Sequence, residues 1–222
     1  NQGAAQMTDA AKTSLLRYMV FFLGVLFMAL GIVLITKADL GTTPITALPY
    51  VASLGFTPSI GFFTIMMNLG LVIMQVLIMR RNFPKLQYLQ IPASLLFGFL
   101  IDFWMTLVPE PAMQTYSGSL LFLGAGIVVL ALGIAVEVSA NVVMMAGEGA
   151  VMVLSLVTHK DFGILKVVFD TTLVLLGVVL SYALFQELRG IREGTVLSAL
   201  CVGVIVKFFF ALRNKLLAIT ST

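Results

Sequence analysis

Residues 16–36 read LRYMVFFLGVLFMALGIVLIT, and this run decides the fold class. It contains one charged side chain, Arg17, near its beginning. Roughly 20 predominantly apolar residues in a helix are enough to cross the hydrocarbon core of a bilayer. A helix that is apolar on every face does not suit the surface of a water-soluble domain. The run therefore predicts a transmembrane helix.

Five further runs of similar length and apolar content follow along the chain. They cover residues 59–79, 89–108, 119–138, 165–185 and 195–212. Two weaker segments, 41–53 and 141–158, lie between the strong ones. The first is short and contains two prolines, and the second is interrupted by Gly147-Glu148-Gly149, so neither predicts a straightforward span. The predicted fold is an all-α polytopic membrane protein.

The composition of the whole chain agrees with a membrane location. Of 222 residues, 60% are hydrophobic and 10% are charged, and the mean hydropathy is +1.09. Soluble domains carry roughly 25% charged residues. The expected partner of the surface is therefore the lipid bilayer. Residues 1–14 lack a signal-peptide pattern, so we expect the first span to stay in place, with Met7 as the initiator behind a remnant of six residues.

Several functional classes receive no support from the sequence. The net charge of +3 is small and dispersed, which argues against a nucleic-acid partner. The lone cysteine, Cys201, excludes an internal disulfide, and no Cys/His set suggests a metal site. The common hydrolase, nucleotide-binding and metalloprotease motifs are absent from the sequence. We therefore predict no enzyme activity, no cofactor and no metal. A homo-oligomer is compatible with the sequence, which does not decide the oligomeric state.

The chain repeats itself with an offset of 102 residues. Ala29-Leu30-Gly31-Ile32 recurs at 131–134. Further matches at this offset are Asp39/Asn141, Gly61/Gly163 and Asn68/Asp170, and at an offset of 105 they are Gly98/Gly203 and Asp102/Lys207. The pattern predicts a duplication, with repeat 1 at 15–108, a loop at 109–117, repeat 2 at 118–213, and tails at 1–14 and 214–222. The spacing of Gly24, Gly31, Gly124, Gly126 and Gly133 predicts close helix packing.

The distribution of basic residues arbitrates between two topologies. If the weak segment of each half turns back, the halves have three crossings each and opposite orientations. One side then collects Lys12, Arg17, Arg80, Arg81, Lys85, Lys160, Arg213 and Lys215, and the other collects Lys37, Arg189 and Arg192. If the weak segments cross, eight spans form two parallel repeats and the basic residues divide five against six. We therefore favour two inverted repeats with six crossings, two broken or re-entrant segments and cytoplasmic termini.

Matching broken segments in two halves are the best sequence indicator of a transport site. Here they are Gly41-Thr42-Thr43-Pro44 and Ala146-Gly147-Glu148-Gly149. We expect Thr42 and Thr43 to cap the helix that Pro44 begins, directing its N–H groups toward an anion or a polar group. The predicted substrate-binding residues are Thr42, Thr43, Asn141 and Glu148. The alternative interpretation is a tight loop between two ordinary spans.

Charged residues inside apolar runs are the second indicator, because a charge at the bilayer centre costs at least ~2.5–3.5 kcal/mol on insertion scales. Lys166 and Asp170 are four residues apart and are expected to neutralise each other on one helix face. Asp102 and Lys207 are equivalent by the repeat and could meet across its axis. We treat Lys166, Asp170, Asp102, Lys207 and Asn68 as site-lining or ion-pairing residues. Glu137 lies nearer a segment end, where it could snorkel to the surface.

The block 192–200, REGTVLSAL, followed by Val202-Gly203 and Phe208, resembles the closing span of the YczE/YyaS/YitT-like bacterial membrane proteins. The motifs LGTTP at 40–44, Gly147-Glu148-Gly149, and Phe162-Gly163 with Lys166 and Asp170 resemble them too. The resemblance covers residues 16–212, with a departure at Ile45, where an aromatic residue is expected. It implies a multi-pass protein of the bacterial inner membrane and a permease role.

Three functions remain open at this point. The first is a secondary transporter or facilitator of a small polar or anionic solute, with its site between the repeats. The second is a channel-like conduit formed by the two broken segments. The third is an accessory or scaffold protein, in which the buried charges are structural.

Overall fold

The computed structural model describes residues 2–110 and 115–220, and this part of the chain contains eight α-helices and no β-strand. The helices are α1 (Gln2–Lys37), α2 (Pro44–Gly55), α3 (Ile60–Met79), α4 (Gln90–Leu107), α5 (Tyr116–Ala140), α6 (Ala146–Thr158), α7 (Phe162–Phe185) and α8 (Glu193–Thr220). Two short 3-10 segments, Arg80–Asn82 and Lys85–Leu89, join α3 to α4. Helix α1 thus extends back through the predicted N-terminal tail.

Six helical stretches are long and apolar enough to cross a membrane. They are Ser14–Lys37, Ile60–Asn82, Lys85–Leu107, Tyr116–Ala140, Phe162–Phe185 and Glu193–Arg213. The helices α2 and α6 have 12 and 13 residues. At about 1.5 Å of rise per residue they span roughly 18–20 Å, less than the ~30 Å of a hydrocarbon core. The prediction of six spans and two short segments is confirmed, and the eight-span alternative finds no support.

The first helices of the two halves, α1 and α5, pack against each other in opposite directions. A Cβ built on Gly24, early in the span of α1, would lie 2.5 Å from the backbone nitrogen of Glu137, late in α5. Near the other end of the interface, a Cβ on Gly126 would lie 2.7 Å from the nitrogen of Ile35. In a parallel arrangement Gly24 would face its own equivalent, Gly126. The two halves are therefore inverted.

Glycine makes this close approach of α1 and α5 feasible. A Cβ on Gly31 would overlap the backbone of Leu130, and one on Gly133 would lie 2.5 Å from the nitrogen of Met28. The predicted close packing is thus confirmed for Gly24, Gly31, Gly126 and Gly133. It is wrong for Gly124, because a Cβ there would meet nothing within 4 Å.

The duplication extends to the helix ends. Ser59 caps α3 by accepting a hydrogen bond from the N–H of Phe62, and its equivalent Asp161 caps α7 by accepting one from Ile164. After α1 and α5 the chain turns through two left-handed residues, Asp39 with φ 55° and Asn141 with φ 50°. Asp and Asn tolerate this conformation better than most residues. The predicted duplication is therefore visible in the local backbone as well.

The helices of the two halves interlock. Each short helix packs mainly on the third helix of the other half, α2 on α7 and α6 on α3. The fourth helices lie against the central pair, α4 on α1 and α8 on α5. Exchanging the halves preserves this pattern, with two exceptions. Helix α3 packs closely on α4, whereas α7 and α8 make little contact with each other, and α2 touches α8, whereas α6 and α4 make little contact.

The inverted topology makes a testable prediction for two equivalent turns. In a Cys201→Ser background, single cysteines at Thr57 and His159 are expected to react from opposite sides of the membrane. Both positions are exposed, so reagent access is not the limiting factor. The measurement is labelling of intact cells with a membrane-impermeant maleimide, before and after permeabilisation. Labelling of both cysteines from the same side would contradict inverted halves.

Candidate functional site

The first turns of the two short helices contact each other between the halves. The side chain of Ile45, the second residue of α2, lies against Gly147, the second residue of α6, where any Cβ would overlap it. The first N–H groups of a helix have no partner within it, and its N-terminus carries a partial positive charge. The two broken segments predicted from the sequence therefore come together in one place.

A cluster of buried hydroxyl groups surrounds the beginning of α2. Thr43 is the N-cap residue, as the prediction places it, but its hydroxyl bonds to that of Thr46 at 2.6 Å and not to a backbone N–H. Thr46 also pairs with the hydroxyl of Thr42 at 2.8 Å, and Thr42 pairs with that of Thr36 at 3.0 Å. The expected capping is thus wrong, because the hydroxyls of Thr42 and Thr43 bond to other hydroxyls and do not cap a backbone N–H of α2.

The hydroxyl cluster continues onto α8 through Thr195 and Ser198. The N–H of Thr42 donates to the Thr195 hydroxyl at 3.1 Å, and the Ser198 hydroxyl lies 3.2 Å from the Thr42 carbonyl. The N–H of Gly194 donates to the carbonyl of Leu40 at 2.7 Å. The motifs 40–44 and 192–200, which carry the family resemblance, are therefore in direct contact. Thr42 and Thr43 are buried in this arrangement, and their role in substrate binding stays a prediction.

The beginning of α6 is held by a pair of buried glutamines. The amides of Gln75 and Gln90 bond to each other reciprocally, at 2.9 and 3.2 Å, and Gln75 also donates to the carbonyl of Ala146 at 3.2 Å. A Cβ on Gly149 would lie 2.8 Å from both amides. A side chain at either position that flanks Glu148 would therefore clash, at Gly147 with Ile45 and at Gly149 with the glutamine pair.

Four charged side chains from three helices converge beside this first turn. Glu148 of α6 is half-buried and interacts electrostatically with Glu137 of α5 and with Lys166 of α7. Lys166 donates to Asp170 at 2.8 Å, so the predicted ion pair is confirmed. We refer to Glu137, Glu148, Lys166 and Asp170 as the charged cluster. The structure therefore joins Glu148 to Lys166 and Asp170, which the sequence treats as separate features.

Glu137 corrects the sequence-based interpretation. It does not reach the surface: its exposed fraction is 3%, and α1 covers it at Gly24. The backbone N–H of Met145 interacts favourably with its carboxylate, but its Oε1 has no hydrogen-bond partner within residues 2–110 and 115–220. Distance from a segment end along the sequence does not reveal which side of the helix a residue faces, and Glu137 faces the interior.

The two predicted asparagines lie outside the charged cluster. Asn141 is exposed and ends α5 in the left-handed conformation. Asn68 is buried on α3, on the same face as Thr64 and Gln75. No structural feature tests a role for either residue in binding.

Asp102 and Lys207 do not pair, contrary to the sequence-based suggestion. The carboxylate of Asp102 accepts hydrogen bonds from the Ser59 hydroxyl at 2.6 Å and from the N–H of Gly61 at 2.9 Å. Lys207 is exposed, and no ion pair joins it to Asp102 in the described part of the chain. Asp102 instead fastens the beginning of α3 to the end of α4.

The contact between the third and fourth helices differs between the two halves. In repeat 1, α3 and α4 are in contact where a Cβ on Gly98 would lie 2.6 Å from the carbonyl oxygen of Gly61. In repeat 2, the equivalent of Gly98 is Gly203, where a Cβ would meet nothing within 4 Å. Equivalent helix pairs are therefore closed in one half and open in the other.

Several residues of the site escaped the sequence analysis, namely Thr46, Gln75, Gln90, Glu137, Thr195 and Ser198. The repeat offers a signal for two of them, because Gln90 and Thr195 are equivalent at the offset of 105. Thr195 of α8 holds the beginning of α2, and Gln90 of α4 is part of the pair that holds the beginning of α6. A cavity of about 70 Å³ lies beside the glutamine pair and is lined by Gln75, Gln87 and Gly149 together with apolar side chains.

Comparisons with known proteins place the chain in a family. The uncharacterized membrane protein YczE of Bacillus subtilis (strain 168) is 26% identical over 194 residues, which cover 87% of this chain and 85% of that protein. The uncharacterized protein YyaS of the same strain is 25% identical over 193 residues, which cover 85% of this chain and 89% of that protein. No solved structure matches. Residues 15–211 match the family of unknown function DUF6198, and the chain, a multi-pass membrane protein, belongs to that family.

Proposed function

We propose that this protein is a secondary transporter or facilitator of a small polar solute in the bacterial cytoplasmic membrane. The observation that carries the proposal is the contact between Ile45 and Gly147, which brings the first turns of two half-length helices together between inverted halves. Transporters with inverted repeats bind substrate and coupling ions at such discontinuous helices. The charged cluster lies beside α6. Charged side chains inside a membrane protein are costly, and they commonly mark the pathway of a substrate or an ion.

The charges at this place favour a neutral or cationic solute over an anionic one. The charged cluster contains three acidic side chains and one basic one: Lys166 interacts with Glu148 and Asp170, and Glu148 interacts with Glu137. The N-terminus of α6, where an anion would bind, already interacts with the Glu137 carboxylate through the N–H of Met145. The hydroxyl cluster around α2 adds uncharged hydrogen-bonding groups on the other side.

The unequal helix pairs support transport by alternating access over a channel. A conduit needs both ends open at once, whereas here α3 and α4 are closed on each other and α7 and α8 are apart. Exchanging the two arrangements between the inverted halves would close α7 on α8 and open α3 from α4. With cytoplasmic termini, the closed end of α3 and α4 faces outward and the open end of α7 and α8 faces the cytoplasm.

A thermal-shift screen tests the binding site directly. The detergent-purified protein is heated with a panel of amino acids, amines, sugars, nucleobases and carboxylic acids, and uptake of any stabilising compound is then measured in proteoliposomes. We expect one neutral or cationic class to stabilise the fold, by about 2.7 kcal/mol at 100 times its dissociation constant. We expect Glu148→Gln to abolish that shift, because the carboxylate lies at the first turn of α6.

Glu187→Gln is the matched control, because Glu187 is exposed and pairs with Arg189 away from the cluster. It should respond to the solute as the unaltered protein does. Equal shifts in Glu148→Gln and in the control would remove Glu148 from the site. No shift and no flux with any compound would instead favour an accessory protein.

A further inference from the structure

Three buried side-chain atoms lack a hydrogen-bond partner among the described residues: Ser94 Oγ, Trp104 Nε1 and Glu137 Oε1. Only Glu137 among them belongs to a group that can carry a full charge. A buried ionised carboxylate with an unpaired oxygen is among the most costly groups in a protein interior. Some species must satisfy this oxygen, and the neighbours of Glu137 indicate which one.

Three helices near Glu137 contribute different kinds of neighbour. Helix α1 covers it at Gly24 and supplies no charge at that contact. Helix α6 brings the Glu148 carboxylate, which raises the cost of a second negative charge nearby, and the N–H of Met145. Helix α7 contributes Lys166, which interacts electrostatically with Glu148 and with Asp170. Its influence on Glu137 is therefore indirect, through Glu148. A fourth helix that packs on α5, α8, carries Lys207, which is exposed and forms no ion pair with Glu137 among the described residues.

We infer that Glu137 and Glu148 bind one exchangeable proton between them, and that this proton is the coupling ion of the transporter. A proton on Glu137 removes the charge from a buried carboxyl group whose Oε1 has no partner among the described residues, and it relieves the repulsion between the two carboxylates. The role as coupling ion rests on the proposed transport function, whereas the binding of the proton does not.

The same neighbours disfavour a metal cation. The N–H of Met145 interacts favourably with the carboxylate of Glu137, and the N-terminus of α6 carries a partial positive charge. A hard cation would also need several further oxygen ligands, and the positively charged Lys166 already interacts with Glu148. Because Glu148 is half-buried and Glu137 is sealed, Glu148 is the member that exchanges the proton with water.

The proton can be observed without any solute. Infrared difference spectra of the purified protein, recorded as the pH is raised, should show loss of a carboxylic-acid C=O band and gain of carboxylate bands. We expect Glu137→Gln and Glu148→Gln each to remove that band and Glu187→Gln to keep it, with size-exclusion profiles showing that all three variants are folded. A band unchanged in both cluster variants would overturn the inference, as would a saturable spectral response to Na⁺ at constant pH.

The coupling is tested separately in proteoliposomes that contain a pH-sensitive dye and receive the compound found by thermal shift. Solute entry should acidify or alkalinise the lumen in the unaltered protein, and this response should be lost in Glu137→Gln. A titrating band without solute movement would leave the proton site standing and remove the transport function. Solute movement without a proton flux and without the band would remove the proton site and leave transport standing.

Discussion

Gly31→Val is expected to abolish folded, monodisperse protein. Its Cβ would overlap the backbone of Leu130 in the middle of α5, and a helix backbone cannot turn aside as a flexible side chain can. Overpacking a well-packed interior costs about 1–3 kcal/mol and occasionally more, and a clash with backbone belongs at the upper end. The α1–α5 interface is the main contact between the two halves. Separating these two helices should therefore unfold the membrane domain. Fluorescence-detected size exclusion and thermal unfolding measure the effect.

Gly124→Val provides the matched control. It makes the same chemical change within α5, but a side chain there enters open space and should contact lipid. We expect its elution profile and melting temperature to stay close to those of the unaltered protein. Similar losses in the two variants would show that helix propensity, and not the α1–α5 contact, governs the result.

These two glycines also show how much of the fold can be predicted from the sequence. Hydropathy predicts the six long helices to within a few residues at most ends, because a span must satisfy its own backbone whatever its neighbours are. Which glycines touch another helix depends on how α1 and α5 cross, and spacing alone did not separate Gly31 from Gly124. The crossing is a long-range property, fixed by the antiparallel contact of segments about 100 residues apart.

The candidate site, too, could be predicted where local pattern decides it and could not where long-range packing decides it. The repeat predicts that the broken segments at Pro44 and Gly147 belong together, and the spacing of Lys166 and Asp170 predicts their pairing, because both inferences use local pattern or internal symmetry. Glu137 was missed because its burial depends on the neighbouring helix α1. Asp102 and Lys207 do not meet, because they occupy equivalent positions of inverted halves and therefore lie toward opposite ends of the helix bundle. The two halves also differ in conformation, since α3 packs closely on α4 whereas α7 and α8 make little contact.

That inequality leads to the strongest test of movement. In a Cys201→Ser background, one double variant replaces Ser59 and Asp102 with cysteine, and another replaces their repeat equivalents Asp161 and Lys207. The first pair should cross-link readily, because the Ser59 hydroxyl and the Asp102 carboxylate are 2.6 Å apart. The second pair should cross-link slowly, and only as the protein visits the state in which α7 closes on α8.

Oxidation of either pair should reduce transport of the identified solute to background, since each cross-link holds one of the two states, and reduction should restore it. The four single-cysteine variants control for loss of the native side chains, which matters most at Asp102. Solute or a pH change that speeds the Asp161–Lys207 cross-link should slow that of Ser59–Asp102, because closing one end opens the other. If the Asp161–Lys207 pair never cross-links while transport proceeds, the two helix pairs do not exchange arrangements, and the open α7–α8 pair is a fixed entrance.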